Sequence, residues 1–478
     1  MDTQKFSFLF YDYETFGKNP ALDRPVQFAS IRTDFDFNFI EEPEIFYCSP
    51  ANDYLPEPEA VIIHGITPQY AIAHGVNEAE FAKHIYSIFS IGNTCILGYN
   101  NIQFDDEVSR YIFYRNFYDP YDYSWKSGNS RWDLINVLRA CYALRPNGIY
   151  WPHNNNGLPS FRLEDLTNIN NVQHLNAHNA MGDVLATIEI AKLIKKAQPR
   201  LFDYFFKLRK KNKIMKLIDC VNMIPLIYIS SIFGATKSNI SIIAPIAWHP
   251  KNKNIFFAYD LAGDINEFLK SNNNILQKYD LLKFKISNKH IKNIQLININ
   301  KCPILAPINL LKSIDLKRIS LDINHCMNNW KKLRKDKTIQ CKIINFFSQK
   351  NFLHEPDVDV DYKLYEGFFS SKDRLKMNII THTSPKDLSK LNLNFDDPRI
   401  SQLLFRYRSR NYPNTLTKQE KLTWLSHRKN ILNKETINKY LKYIDKLFLI
   451  YNDNKKICAY LKELVKYVNQ ITNECFKK

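Results

Sequence analysis

Hydrophobic and polar positions divide this chain into three textures, the first running to about residue 198. FSFLFYDYETFG (6–17) is an apolar and aromatic run that ends on two carboxylates, Asp12 and Glu14, and it predicts a buried strand. VQFASIRTD (26–34) and EIFYC (44–48) predict two more strands, so the opening suggests an antiparallel meander. Residues 77–91 combine an Asn cap, early Glu residues and apolar positions at helical spacing. TCILGYNN (94–101) predicts a short strand leaving through polar residues. Helical periodicity resumes in FDDEVSRYIFYRNF, which puts Asp105 at a strand-to-helix transition. Further helices are expected over 132–145 and 178–196, with a turn and short helix in GLPSFRLEDLTNI between them. Together these segments read as a mixed α/β domain over 1–198.

The second texture, 199–352, holds short apolar runs such as MIPLIYISSIF, ISIIAPIAW, NIFFAYDLAG and NIQLININKCPIL. Polar, Gly, Pro and Asn segments punctuate them, which predicts a small, mostly β, barrel-like domain. The third, 353–478, is dominated by charged amphipathic segments and predicts a helical C-terminal domain.

Charge sharpens this division. The net charge is +18, yet residues 1–198 carry 15 Lys and Arg against 24 Asp and Glu, a net of −9. The remaining residues carry 51 against 24, a net of +27. An acidic part joined to a strongly basic one suggests a region that holds cations and another that holds a polyanion such as nucleic acid. Compositional drift toward Lys, Asn and Ile is the plainer alternative. Nine cysteines without CxxC pairs suit free thiols in a reducing cytoplasm. No eighteen-residue apolar stretch predicts a membrane span, and MDTQKFSF lacks the pattern of a secretory signal.

Residues i and i+2 of a strand share a face, so Asp12 and Glu14 project together. They are a hard-metal site or two solvated acids at a strand exit. Asp105 is a further ligand or a helix-dipole acid, and His178 is a base or a cap. Asp183 lies among apolar helix neighbours, where a carboxylate needs a partner. As a set, the acids suit two Mg²⁺ or Mn²⁺ ions bridging phosphate oxygens, and a histidine suits deprotonation of water.

Asp-x-Glu in YDYET, the NNxxFD run ending at Asp105, and HxxxxD from His178 to Asp183 occur in the order found in the DEDDh exonucleases. The flanking text, including CILGYNNIQFDDEV, GLPSFRLEDLT, APIAWHP and LLFRYRSRNYPNTL, resembles the bacterial exonuclease I family across essentially the whole chain. The resemblance implies a ribonuclease-H-like exonuclease domain and processive 3′→5′ degradation of single-stranded DNA to 5′-mononucleotides in DNA repair and recombination. It implies Asp12, Glu14, Asp105 and Asp183 as ligands of two Mg²⁺ ions, for which Mn²⁺ can substitute, and His178 as general base.

The resemblance also implies substrate contacts by Glu14, Arg110, Tyr121, Trp125, Arg139, Arg162 and Lys211. The three domains of the family form a C-shaped body around a basic channel. A basic pocket at Arg145, Tyr204, Lys312 and Arg334 would take the acidic C-terminal tail of single-stranded DNA-binding protein. Lys312 stands where the family usually has Arg, and Pro307 where it has Gln. Lysine cannot form the bidentate fork to a carboxylate, so a weaker contact is expected. A monomer is expected. A related exoribonuclease and a non-catalytic single-strand-binding scaffold are the alternatives.

Overall fold

The computed structural model describes residues 5–174, 178–266, 293–349 and 358–476. Through residue 215 the elements are β1 (Ser7–Thr15), β2 (Pro25–Thr33), β3 (Glu44–Tyr47), α1 (Pro58–His64), α2 (Pro68–His74), α3 (Glu78–Phe89), β4 (Thr94–Gly98), α4 (Asp105–Arg115), β5 (Ser130–Asp133), α5 (Leu134–Leu144), α6 (Leu163–Ile169), α7 (Ala180–Ala197), α8 (Pro199–Leu208) and α9 (Lys211–Met215). The chain forms two compact units. One comprises Met1–Ser130, Leu175–Leu185 and His354–Lys478; the other comprises Arg131–His174 and Ala186–Leu353.

The first unit is built on a sheet in the order β3-β2-β1-β4-β5. The expected meander is present: β1 pairs antiparallel with β2, and β2 with β3. On its other side β1 pairs in parallel with β4, so it is a central strand. That explains why Ser7 to Tyr11 are all buried. Alternation then separates the two faces. Leu9, Tyr11 and Tyr13 pack with Phe28, Phe81, Ile85, Phe89, Ile112 and Phe113 from β2, α3 and α4, which leaves Asp12 and Glu14 facing the other way. Asn77 caps α3 as the sequence suggests, its side chain accepting the Glu80 N–H at 3.0 Å.

The C-terminal helices Ser371–His382, Pro398–Asn411, Lys418–Ile431, Lys434–Ile450 and Lys455–Phe476 belong to the same unit. Ile400, Leu403 and Tyr407 share a core with Tyr114 and Phe117, while Ile444, Leu461 and Leu464 share one with Phe16, Val26 and Val61.

In the second unit β6 (Leu226–Ile229), β7 (Ile240–Trp248), β8 (Ile255–Asp260), β9 (Ile294–Asn298) and β10 (Ile304–Pro307) form one sheet in the order β10-β6-β7-β8-β9. Every neighbouring pair is antiparallel. The apolar runs of the second texture are these strands. Helices Ile323–Lys335 and Ile339–Gln349 cover one face, with Cys326, Leu333, Ile343 and Phe347 packed on Ile242, Ala244, Phe257 and Tyr259. The observed fold class is therefore the expected one, an α/β region, then a β-sheet region, then helices. The division expected at 352/353 lies outside the described residues.

None of the nine cysteines forms a disulfide, and among the described residues no helix is long and apolar enough to cross a membrane.

Candidate active site

Three of the acids singled out from the sequence converge. Asp12 and Glu14 leave the same face of β1, and Asp183 sits in the first turn of α7. One potential ligand atom from each lies within 4.8 Å of the others. Cross-strand pairing shapes the space around them. Asp12 stands opposite Ala29, whose methyl leaves room, and Glu14 stands opposite Gln27. Asp105 is the first residue of α4 and is nearly fully buried; its Oδ1 accepts the Tyr13 N–H at 3.2 Å. It stands outside the three-carboxylate group but acts on it electrostatically.

Charge repulsion in this pocket is strong. Burial pushes the Asp12 carboxyl well above its usual range, and the charges of Asp105, Asp183 and Glu14 push it further. Burial, then Asp183 and Asp105, raises Glu14 to about 8. Such a set is unfavourable without a cation and favourable with one. Carboxylate oxygens alone make a donor set for a hard divalent ion such as Mg²⁺ or Mn²⁺.

His178 lies exposed in a turn at φ 63°, two residues before α7 begins. The Ala180 N–H goes to Gln27 Oε1 at 3.1 Å and the Met181 N–H to Asn179 Oδ1 at 3.2 Å, so side chains other than His178 take the first N–H groups of that helix. His178 also acts on His64, as the smallest of the three influences on that imidazole. Burial chiefly lowers the His64 pKa to about 4, and a hydrogen bond to the Thr15 backbone only partly opposes this.

Within the first unit, Arg110 is held by Glu107 at 2.6 Å and Tyr365 Oη at 3.3 Å, and its guanidinium lies over the Tyr121 ring. Tyr121 meets Phe368 edge-on at 5.6 Å. Trp125 is 66% exposed, as a stacking platform requires, whereas Phe113 and Phe117 are core. The sequence reading missed Tyr365 and Phe368, because a second aromatic strip some 250 residues away becomes a neighbour only through the fold.

Within the second unit, Arg139 bonds Asn136 and lies over Phe161, Arg162 is exposed just before α6, and exposed Lys211 bonds Asn254. Arg145 reaches the Leu310 carbonyl at 3.0 Å and Asp315 at 3.4 Å, which ties it to the segment containing exposed Lys312. The Tyr204 hydroxyl is buried without a partner, and Arg334 lies exposed with its guanidinium over Trp330. Pro307 ends β10.

Family comparisons match this arrangement along the whole chain. The model described as Exonuclease matches residues 9–191, Exonuclease I SH3-like domain 209–349, and Exonuclease I C-terminal domain 358–471. Exodeoxyribonuclease I of Escherichia coli (strain K12) is 51% identical over 98% of this chain and 98% of its own. The zinc-bound form of the E. coli ExoI–ssDNA complex superposes with a TM-score of 0.92 at 50% identity, covering 98% of this chain and 100% of that one. An SSB/Exonuclease I structure with the inhibitor CFAM gives a TM-score of 0.91 at 50% identity, with the same coverage. With relatives this similar over nearly its full length, and with three carboxylates gathered where the motif order predicts, the chain belongs to the exonuclease I family.

Proposed function

We propose that this chain is a processive, Mg²⁺-dependent 3′→5′ exonuclease that degrades single-stranded DNA to 5′-mononucleotides in DNA repair and recombination. The observation that carries the proposal is the Asp12–Glu14–Asp183 cluster in a member of this family. Two Mg²⁺ ions bound there would supply a polarised phosphodiester and a water activated near neutral pH. Asp12, Glu14 and Asp183 would hold one ion, and Asp12, supported by Asp105 directly or through water, would serve the other. His178 takes the proton of the attacking water.

Arg162 grips the strand near its scissile end. Arg110, Arg139 and Lys211 neutralise backbone phosphates, and Tyr121 and Trp125 offer ring faces to bases. The +27 charge beyond residue 198 supplies the long-range attraction. Single-stranded DNA-binding protein is the proposed partner, in keeping with the SSB/Exonuclease I complex of a relative. Its acidic tail would meet Arg145, Tyr204, Lys312 and Arg334. The chain would work as a monomer, and a reducing cytoplasm is in keeping with nine cysteines that form no disulfide.

The test uses 3′- and 5′-blocked DNA and RNA oligonucleotides with Mg²⁺ or EDTA. Mononucleotides from single-stranded DNA, only with a free 3′ end and only with Mg²⁺, are expected. Binding without cleavage overturns the enzymatic reading, and faster loss of RNA replaces it with an exoribonuclease.

A further inference from the structure

A polar side chain in the middle of an apolar strand calls for an explanation, and Gln27 in PVQFASIRT is one. It is 0% exposed, so water does not satisfy its carboxamide. In the sheet it stands directly between Glu14 of β1 and Tyr47 of β3, and these three side chains form one row on one face. Its Oε1 accepts the Ala180 N–H at 3.1 Å, and its Nε2 donates to Tyr47 Oη at 3.2 Å. The orientation of the amide follows from chemistry, since an N–H can be met only by the oxygen.

Ala180 opens α7, and Asp183 follows three residues later, on the adjacent turn of the same helix face. One side chain therefore bonds the helix that carries Asp183 while standing beside the strand residue that carries Glu14.

We infer that Gln27 is a positioning residue, oriented by Tyr47, that sets the spacing between the Glu14 and Asp183 carboxylates for the cation. The inference rests on the metal-site reading above. A cation needs its ligands at fixed separation, and groups that orient ligands typically change metal affinity or activity by about 10–100-fold when removed. Gln27 touches no substrate in this scheme and acts only through the two elements it joins. A side chain with a purely stabilising role would lower the melting temperature and leave metal affinity unchanged.

The experiment compares the parent chain with Gln27→Met, which keeps the volume and removes both hydrogen bonds, and with Tyr47→Phe, which removes only the orienting hydroxyl. Mn²⁺ binding to the DNA-free protein is measured by calorimetry, and kcat and KM are measured on a single-stranded oligonucleotide. Gln27→Met should weaken Mn²⁺ binding about tenfold and lower kcat about 10–100-fold. Its KM should stay within about twofold, and excess Mn²⁺ should recover part of the rate. Tyr47→Phe should shift both in the same direction by about threefold. Parental Mn²⁺ affinity and kcat in folded Gln27→Met overturn the inference. If that variant does not fold, parental values in Tyr47→Phe overturn it. A parent chain that binds no Mn²⁺ overturns the metal-site reading itself, an outcome distinct from a parent that binds and a Gln27→Met that binds equally well.

Discussion

Glu14 shows what gathering carboxylates does to a single residue. Burial, Asp183 and Asp105 together raise its pKa to about 8. Below its unfolded value near 4.5 the group is protonated in both states and contributes nothing to pH dependence. Between there and about 8 the unfolded chain releases a proton that the folded chain retains, so the metal-free native state loses stability as pH rises. The penalty is complete above that range, and Asp12 acts in the same direction. Metal-free protein should therefore melt lower at about pH 8.5 than at about pH 6, and Mn²⁺ should raise the melting temperature more at the higher pH. Asp12→Asn removes one repelling charge. In scanning fluorimetry without metal it should melt higher than the parent at about pH 8.5, by on the order of 3 °C, and lose the Mn²⁺ response and cleavage. Equal pH slopes in parent and variant would show that the repulsion is not felt.

At the scale of elements, the site depends on α4 being docked against β1. Asp105 accepts the Tyr13 N–H, and the next residue, Asp106, fully buried, accepts the Tyr11 hydroxyl at 2.6 Å. Both contacts lie along the strand that presents Asp12 and Glu14. Tyr11→Phe takes one donor from a buried acid, so urea denaturation should show a loss of about 1–3 kcal/mol with an unchanged m value. A variant as stable as the parent would mean that this contact does not hold α4 in place. Elements of this kind were legible wherever the period was long and clean: β1, β2, α3, α4 and the helix carrying Asp183. The seven-residue helices α1 and α2 were not, because two turns give too little periodicity. Their signal was the pairing of an opening proline, Pro58 or Pro68, with a closing Gly65 or Gly75. Trp132 and Asp133 read as helix but form the end of β5, where Asp133 caps α5 through the Ile135 N–H. The acids of the site were legible from local motifs, whereas Gln27 was not, since its role arises from a helix some 150 residues away.

At the scale of the whole molecule, distant parts of the first unit are joined by buried charge. Arg410, from the C-terminal helices, contacts Asp53 at 2.9 Å and Asp361 at 2.8 Å, and Arg24 contacts Asp361 at 3.1 Å. Burial alone would raise both acids; Arg410 and Arg24, joined by His427 at Asp53 and Arg115 at Asp361, together outweigh it, and both are held far below the usual carboxylate range. Depressed acids contribute stability that is fully present above their unfolded value near 3.8 and is lost as pH falls below it. Removing the central cation takes the main partner from two buried carboxylates, leaving Asp361 to Arg24 and Arg406 and Asp53 to His427, so Arg410→Met should cost about 3–5 kcal/mol at neutral pH. It should also flatten the acid limb of the stability curve below about pH 4, because the carboxylates then prefer the folded state less strongly. Replacing the network with apolar groups throughout would be far less damaging than removing one partner, since no lone charge would remain. Urea denaturation from about pH 2.5 to 7 distinguishes these outcomes. A neutral-pH loss below about 1 kcal/mol, with the acid limb unchanged, would mean that apolar contacts such as Ile400 and Leu403 against Tyr114 hold the C-terminal helices in place without the ions.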